Sequence, residues 1–275
     1  MNDRKQKVWS ARRATALSFI FRGNMKNYNS RKNLFRLSFS CSIALLVFLC
    51  STAPAPAEAL SIGQILAKTE SNYRSIKAFT ADFSQKTVSA AATTLGAQIA
   101  GGKLYYAKPR QMRWEYEKPE KQVFVANNKL AWLYNNQGNQ VNLFDAQKLF
   151  SSPLAATFFG GALRLRDHFN VTLDPVLSSS GTAVLQLTPL RQDPSIKLAY
   201  LWIDLKTYLI SRVQTQDLLG NTNTITITSF TPRASLDPGL FSLQVPPSAK
   251  VLGADGHILT NAEVEQLQTE ISSGK

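Results

Sequence analysis

The fold of this chain is decided by residues 102–141, GKLYYAKPRQMRWEYEKPEKQVFVANNKLAWLYNNQGNQV. Within residues 112–117 the even-numbered positions carry Met, Trp and Tyr, and the odd-numbered positions carry charged side chains. A period of two is the pattern of an antiparallel strand with one buried face and one solvated face. Lys118-Pro119 and Asn127-Asn128 supply turns, and residues 130–134 form the next strand. The sequence therefore predicts hairpins whose aromatic face meets either a packed core or an apolar ligand.

Strand patterns continue on both sides of this stretch. Before it, residues 79–83 alternate, and residues 97–107 form a second strand with a predicted bulge at Gly101-Gly102. After it, short turn sequences separate five further strand patterns, at 171–173, 183–187, 198–204, 209–216 and 222–230. Many strands with few helices predict a mainly β protein, built as a strongly curved antiparallel sheet or a barrel.

Three short helices are expected around the sheet. Residues 60–76 have the apolar spacing of one helical stripe. Residues 153–159 predict an apolar helix of fewer than two turns, which we interpret as a lid. Residues 260–263 form a capping box that opens a C-terminal helix. We therefore expect one domain over residues 60–250 and a tail with a short helix over residues 251–275.

The first 59 residues have the parts of a secretory signal peptide. Basic residues precede an apolar run at 37–49, and a string of small residues ends in Ala-Glu-Ala at Ala59. The run is shorter than the roughly 20 residues of a membrane helix, which favours cleavage over a permanent anchor. Lipid attachment at Cys50 is disfavoured because Leu49 precedes it. Starting at Met25 gives a leader of ordinary length, so we expect Met25 to be the true start.

Charge and cysteine content argue against several classes of function. Of 31 Lys and Arg, ten precede Leu60, whereas only two of 18 Asp and Glu do. The remaining net charge of +5 is that of an ordinary solvated surface, so no nucleic-acid partner is expected. Cys41 and Cys50 both lie in the predicted signal peptide, so the exported chain is expected to have no thiolate metal site.

No catalytic set is recognisable in the sequence. His168 and His257 are far apart and predict no metal site. Glu115 and Glu117 lie about 7 Å apart on a strand, which is near the carboxylate separation of glycosidases. They belong to the wet face, however, where nothing raises the pKa of an acid. An enzyme is therefore the weakest hypothesis, and no cofactor is expected.

Several motifs occur in order along the chain: Phe79-Thr80-Ala81-Asp82-Phe83-Ser84-Gln85-Lys86, Gly102-Lys103-Leu104-Tyr105-Tyr106-Ala107-Lys108-Pro109, Arg113-Trp114, Pro119 and Leu130-Ala131-Trp132-Leu133-Tyr134. Together they resemble the periplasmic outer-membrane lipoprotein carrier family, LolA, over most of the chain after the signal peptide. The resemblance implies an unclosed eleven-stranded barrel, with helices across its open side, located in the periplasm. It also implies that the protein carries acylated lipoproteins from an inner-membrane lipoprotein-releasing ABC transporter to an outer-membrane receptor. We expect a monomer.

The alternating residues predict where a ligand would bind. We expect a concave cavity beneath the lid, lined by Phe83, Leu104, Tyr106, Met112, Trp114, Tyr116, Trp132 and Tyr134. Leu154, Phe158 and Phe159 are predicted to form the apolar face of the lid. Binding of an acyl chain must then break the contacts between the lid and the cavity. The loss of these contacts offsets part of the large favourable free energy of burying the chain.

The resemblance also implies a latch. In the family, an Arg before the strand-end Pro looks like a latch that bonds carbonyls of the lid helix, and Lys108 occupies that position here. Lysine lacks the planar fork of arginine, so the latch is expected to be weaker or rebuilt from Arg110 or Arg113. The alternative is that Lys108 is only a solvated charge at a strand end.

Two other functions fit the same residues. One is a carrier or sensor of another amphiphile, such as a phospholipid or glycolipid, on the same fold. The other is an assembly factor that binds no ligand because its core is fully packed.

We predict that the exported protein begins at or near Leu60. N-terminal sequencing of the secreted species measures this directly. A mature species that retains residues 37–49 in the membrane fraction would contradict the prediction.

Overall fold

A computed structural model describes residues 61–91, 96–150, 163–193, 195–242 and 244–272. The predicted signal peptide and the three lid residues, Leu154, Phe158 and Phe159, lie outside these ranges. Within the described ranges, no helix combines the length and hydropathy needed to cross a membrane.

The described residues form three α-helices and twelve strands. The helices are α1 (Ile62–Ser75), α2 (Ala146–Phe150) and α3 (Asn261–Ser272). The strands are β1 (Ala78–Val88), β2 (Gln98–Ala107), β3 (Gln111–Lys118), β4 (Gln122–Ala126), β5 (Leu130–Asn135), β6 (Gln140–Asp145), β7 (Phe169–Leu173), β8 (Thr182–Pro189), β9 (Leu198–Asp204), β10 (Ile210–Gln216), β11 (Thr222–Arg233) and β12 (Lys250–Leu252). Two single 3₁₀ turns lie at Leu165–Asp167 and Pro238–Phe241.

All twelve strands belong to one curved sheet, in the order β12-β6-β5-β4-β3-β2-β1-β11-β10-β9-β8-β7. Neighbouring strands are antiparallel except β12, which runs parallel to β6. In the described residues the edge strands β7 and β12 do not pair with each other, so the sheet does not close. The prediction of an unclosed, mainly antiparallel β fold is confirmed. The twelfth strand, one more than the resemblance implies, is the short β12.

Two apolar clusters share one face of the sheet, which we call the inner face. Directly opposed residues of antiparallel strands point to the same side. Ile225 opposes Val213, and Val213 opposes Leu201, so these three side chains lie on one face. Leu201 belongs to the cluster of β7–β10 that α1 covers. Ile225 belongs to a second cluster, rich in aromatic side chains from β1–β4, which we call the aromatic cluster.

Helix α1 covers the β7–β10 half of the inner face. It begins at a capping box, in which the Gln64 amide donates to the Ser61 hydroxyl and the Ser61 amide donates to the Gln64 side chain. Ile65 and Leu66 are buried against the sheet. At the other end of the helix, the Ile210 amide donates to the Tyr73 hydroxyl at 3.1 Å. The predicted opening helix is therefore present and fixed at both ends.

The opposite face, which we call the outer face, carries a third cluster over β4–β6. Val125, Trp132, Val141 and Leu143 pack there with Val251 of β12. The capping box before α3 forms as predicted, because the Thr260 amide and hydroxyl both donate to Glu263. Val264 of α3 also packs against this cluster. The C-terminal residues therefore add a strand to the sheet and cover its outer face over β4–β6.

The predicted bulge at Gly101-Gly102 is confirmed, because the register between β2 and β3 shifts between these two residues. A methyl group on Gly102 would lie 1.8 Å from the carbonyl oxygen of Glu115, a backbone atom that cannot rotate away. The absence of a side chain at Gly102 thus lets the two strands approach closely where the sheet bends.

We predict that Gly102→Ala lowers the free energy of unfolding by about 1–3 kcal/mol, because β2 and β3 must separate to accept the methyl group. Thermal unfolding followed by circular dichroism measures the effect. Gly181→Ala is the matched control, since open space surrounds that position. Equal melting temperatures for Gly102→Ala and Gly181→Ala would contradict the account of the bulge.

Candidate functional site

Six of the eight residues predicted to line a cavity lie together on the inner face. Five of them are buried members of the aromatic cluster, and Tyr116 packs against it half-buried; the six are Phe83, Leu104, Tyr106, Met112, Trp114 and Tyr116. The cross-strand pairs Leu104–Trp114 and Tyr106–Met112 place them side by side. Their convergence on one face agrees with the alternating pattern. Ligand binding by these residues stays a prediction.

The aromatic rings of this cluster contact one another, those of Phe83 edge to face. Phe83 contacts Trp114 with ring centroids 4.8 Å apart at 74°, and contacts Tyr116 at 5.2 Å and 85°. Phe79 links Tyr106 and Phe230 in tilted contacts, with centroid distances of 5.2 Å and 4.7 Å. Such pairs contribute about 0.5–1.5 kcal/mol beyond the burial of area. The side chains that would contact a ligand therefore contact one another in this structure.

The grouping of Trp132 and Tyr134 with these residues is wrong. Both side chains point to the outer face, where Trp132 is buried in the third cluster and Tyr134 packs against it. Trp114 opposes Phe124, and Phe124 opposes Leu133, so the inner face of β5 is formed by its odd-numbered residues. Trp114 and Trp132 both have even numbers but lie on opposite faces of the sheet. The residues in the turns between β3 and β5 shift which positions of β5 point inward.

Several inner-face residues were missed by the sequence analysis. The aromatic cluster also contains Phe79, Phe124, Ile225 and, from α2, Phe150, and Phe144 packs against it. The available signal was the continuous apolar run at residues 123–126, which is typical of a strand buried on both faces. In β4, Phe124 indeed lies on the inner face while Val125 lies on the outer face.

Polar groups within the aromatic cluster are few. The Tyr116 hydroxyl donates to the Gln85 side chain at 3.0 Å. Burial raises the pKa of Tyr106 to about 12, and it raises the pKa of Tyr116 as well, so both hydroxyls stay neutral at physiological pH. The indole Nε1 of Trp114 is buried and has no hydrogen-bond partner among the described residues. An oxygen atom of a bound molecule would satisfy this donor.

Lys108 bonds to the end of α1. Its ammonium group donates to the carbonyl oxygens of Tyr73 and Arg74, at 2.8 Å and 2.9 Å. Desolvation, and then the charge of Arg74, lower the pKa of Lys108. The pair of bonds satisfies two carbonyls in the last turn of the helix. Lys108 is thus positioned as a clasp between β2 and α1; the predicted lid helix lies outside the described residues.

The other two latch candidates have different surroundings. The guanidinium of Arg110 lies 5.8 Å from the centre of the Phe150 ring in α2, a cation–π contact. Arg113 lies on the outer face, where it donates to Glu115 at 2.6 Å and to the Leu240 carbonyl at 3.2 Å. Its selection as a latch candidate is wrong, because Arg113 alternates with the inner-face residues Met112 and Trp114.

A groove of about 420 Å³ opens at the end of α1. Its walls include Asn72 and Ile76 on one side and Leu209 and Arg233 on the other. Ile76 also packs against the aromatic cluster, so the groove adjoins the inner face. This volume lies within the range of small-molecule sites.

The family model described as outer membrane lipoprotein carrier protein LolA matches residues 74–244. An outer-membrane lipoprotein carrier protein of Cupriavidus pinatubonensis is 25% identical over 218 residues, which cover 79% of this chain and 98% of that protein. The protein of the same name from Chromobacterium violaceum is 27% identical over 202 residues, covering 73% of this chain and 91% of that protein.

Two solved structures resemble this chain over most of their own length. An uncharacterized conserved protein from Thermus thermophilus has a TM-score of 0.46 and 15% identity, covering 70% of this chain and 98% of that one. A LolA superfamily protein from Nitrosomonas europaea has a TM-score of 0.39 and 13% identity, covering 67% and 99%.

The family match extends over more than half of the chain, from the last turn of α1 to the residues after β11. It confirms the resemblance seen in the sequence motifs and, with it, the expected periplasmic localisation. The chain belongs to the outer-membrane lipoprotein carrier family, LolA.

Proposed function

We propose that the protein binds the acyl chains of lipoproteins on its inner face and carries them from the inner membrane to the outer membrane. The observation that supports this most is the aromatic cluster, whose large apolar side chains share one face of an unclosed sheet. The relatives are named as carriers, not enzymes, and we propose no catalytic role. An inner-membrane releasing ABC transporter and an outer-membrane receptor are the partners that such a route requires.

Loading must displace contacts that exist in the empty protein. The buried residues of the aromatic cluster are at most 8% exposed, and Phe83 contacts both Trp114 and Tyr116. An acyl chain gains about 0.8 kcal/mol for each CH₂ group that it buries. The cost of separating the cluster offsets part of this gain. Binding then remains weak enough for the cargo to be passed to an acceptor.

The end of α1 is the proposed point of opening. The groove there adjoins the aromatic cluster through Ile76, and its rim carries Lys77 and Arg233. Lys108 holds the last turn of α1 to β2 on the same side of the sheet. We propose that release of this clasp widens the groove and admits an acyl chain. The predicted lid residues Leu154, Phe158 and Phe159 would compete with the chain for the same face.

We predict that a photo-crosslinking residue at position 116 captures lipoprotein, and that the same residue at position 134 does not. Tyr116 and Tyr134 are both half-buried tyrosines, but they lie on opposite faces of the sheet. Each would be replaced by p-benzoylphenylalanine in the full chain, irradiated in cells, and analysed by immunoblotting and mass spectrometry. Crosslinking at both positions or only at position 134 would refute the inner-face site. Capture of phospholipid alone would favour the alternative amphiphile carrier.

A second prediction concerns the clasp. Lys108→Ala removes two hydrogen bonds from a charged donor, each contributing about 1.5–3 kcal/mol, so the last turn of α1 should open more often. Hydrogen exchange of residues 72–77 should then become at least roughly ten-fold faster, as measured by mass spectrometry.

Lys103→Ala is the matched control for this measurement. Lys103 lies on β2, which ends one residue before Lys108; it is exposed and points to the outer face. Lys108→Arg should keep exchange slow, because a guanidinium can donate to both carbonyls. Unchanged exchange in Lys108→Ala would show that the contact does not hold the helix.

A further inference from the structure

The turn between β10 and β11 presents two leucines to solvent. Leu218 and Leu219 are 60% and 68% exposed at residues 217–221. Tight turns favour Gly, Asn, Asp and Ser, which fit the backbone or bond to it. Leucine has neither advantage in this position. We call Leu218 and Leu219 together the leucine tip.

The leucine tip stands on a rigid polar base. Asp217 and Asn221 are 7% and 3% exposed, and the Asn221 side chain donates to Asp217 at 2.6 Å. Asp217 also accepts hydrogen bonds from the amides of Leu219 and Asn221, each at 2.9 Å. The Asn221 side-chain oxygen accepts a bond from the amide of Ala90, which ties the turn to the chain that follows β1. The backbone of the turn is therefore held in place, which reduces the conformational entropy that it loses on binding.

Other apolar side chains lie at the same end of the sheet as the leucine tip. Leu190, in the loop between β8 and β9, is 59% exposed, and Ile99, near the start of β2, is 55% exposed. The Lys197 amide donates to the Gln216 carbonyl, which places the β8–β9 loop beside the leucine tip. This end of the sheet thus carries several apolar side chains that no described residue covers.

Three exposed cations lie on the elements next to the leucine tip, and Asp167, at the same end of the sheet, is ion-paired with Arg164. Lys86, Arg191 and Lys197 are exposed on the neighbouring elements. Asp193 is half-buried and accepts a hydrogen bond from the Ser195 amide. Asp217 is buried in the base of the turn. An anionic surface would therefore meet cations around an apolar point.

We propose that the leucine tip inserts into the interface of an anionic phospholipid bilayer, with Lys86, Arg191 and Lys197 contacting lipid headgroups. The two leucines project into solvent from a five-residue turn, and a bilayer accepts a protruding apolar side chain without a matching shape. Two leucines and three cations give weak, reversible attachment, which suits a protein that has to leave the membrane again. The inference does not depend on binding of acyl chains by the inner face.

Vesicle flotation with the full exported chain tests this proposal. The vesicles would contain phosphatidylcholine and phosphatidylglycerol at a ratio of about three to one, or phosphatidylcholine alone. We expect binding to the anionic vesicles that weakens as salt is added. Leu218→Ser should lower the partition coefficient by roughly ten-fold, and the double variant Leu218→Ser/Leu219→Ser should lower it further.

Val176→Ser is the control, because Val176 is 88% exposed in the β7–β8 turn at the opposite end of the sheet. Asp174 and Asp204, both half-buried, lie beside that turn. Val176→Ser should bind vesicles like the original chain, and all variants should keep its melting temperature and its crosslinking of cargo. No binding of the original chain to anionic vesicles would overturn the proposal. The proposal would also be overturned if Val176→Ser and Leu218→Ser lost vesicle binding equally. The same holds if Leu218→Ser kept vesicle binding and lost only its capture by an acceptor protein.

Discussion

The structure depends on the need to keep the aromatic cluster of the inner face out of water. Phe83 contacts Trp114 and Tyr116 edge to face, and it does so on a sheet whose edges do not meet within the described residues. A closed barrel admits a ligand only through its ends. An unclosed sheet can instead exchange contacts within the cluster for contacts with a guest of similar chemistry. The free energy of cargo binding is then a small difference between two large quantities, the burial lost within the cluster and the burial gained with the cargo.

Both faces of the sheet carry apolar clusters, but they are covered by different elements. On the outer face, Trp132 is covered by the C-terminal residues, which add β12 to the sheet and pack Val251 and Val264 over it. On the inner face, α1 covers the β7–β10 half, and its end is held by Lys108 through two carbonyl oxygens. A strand paired into the sheet fixes one cover, whereas the other is a helix held by side-chain contacts, with Lys108 on the β2 side and with the Tyr73 hydroxyl bonded to the Ile210 amide. This difference supports the proposal that the ligand binds on the inner face.

The sequence was a good guide within a strand and a poor one between strands. Alternation correctly placed Met112, Trp114 and Tyr116 on one face, because period two holds along β3. Alternation failed for Trp132 and Tyr134, because the number of residues in the two preceding turns decides which positions of β5 point to the inner face. The same parity rule, applied locally, would have excluded Arg113. The contact of Lys108 with α1 could not be read from the sequence, since it joins elements that only the folded sheet brings together.

Native mass spectrometry tests the central claim most directly. The protein would be purified from cells that co-express either a lipoprotein with its acylated N-terminal cysteine or the same lipoprotein with that cysteine replaced by serine. Carriage on the inner face predicts a one-to-one complex with the acylated form and none with the serine form. Equal binding of both forms, or no complex with the acylated form, would contradict it.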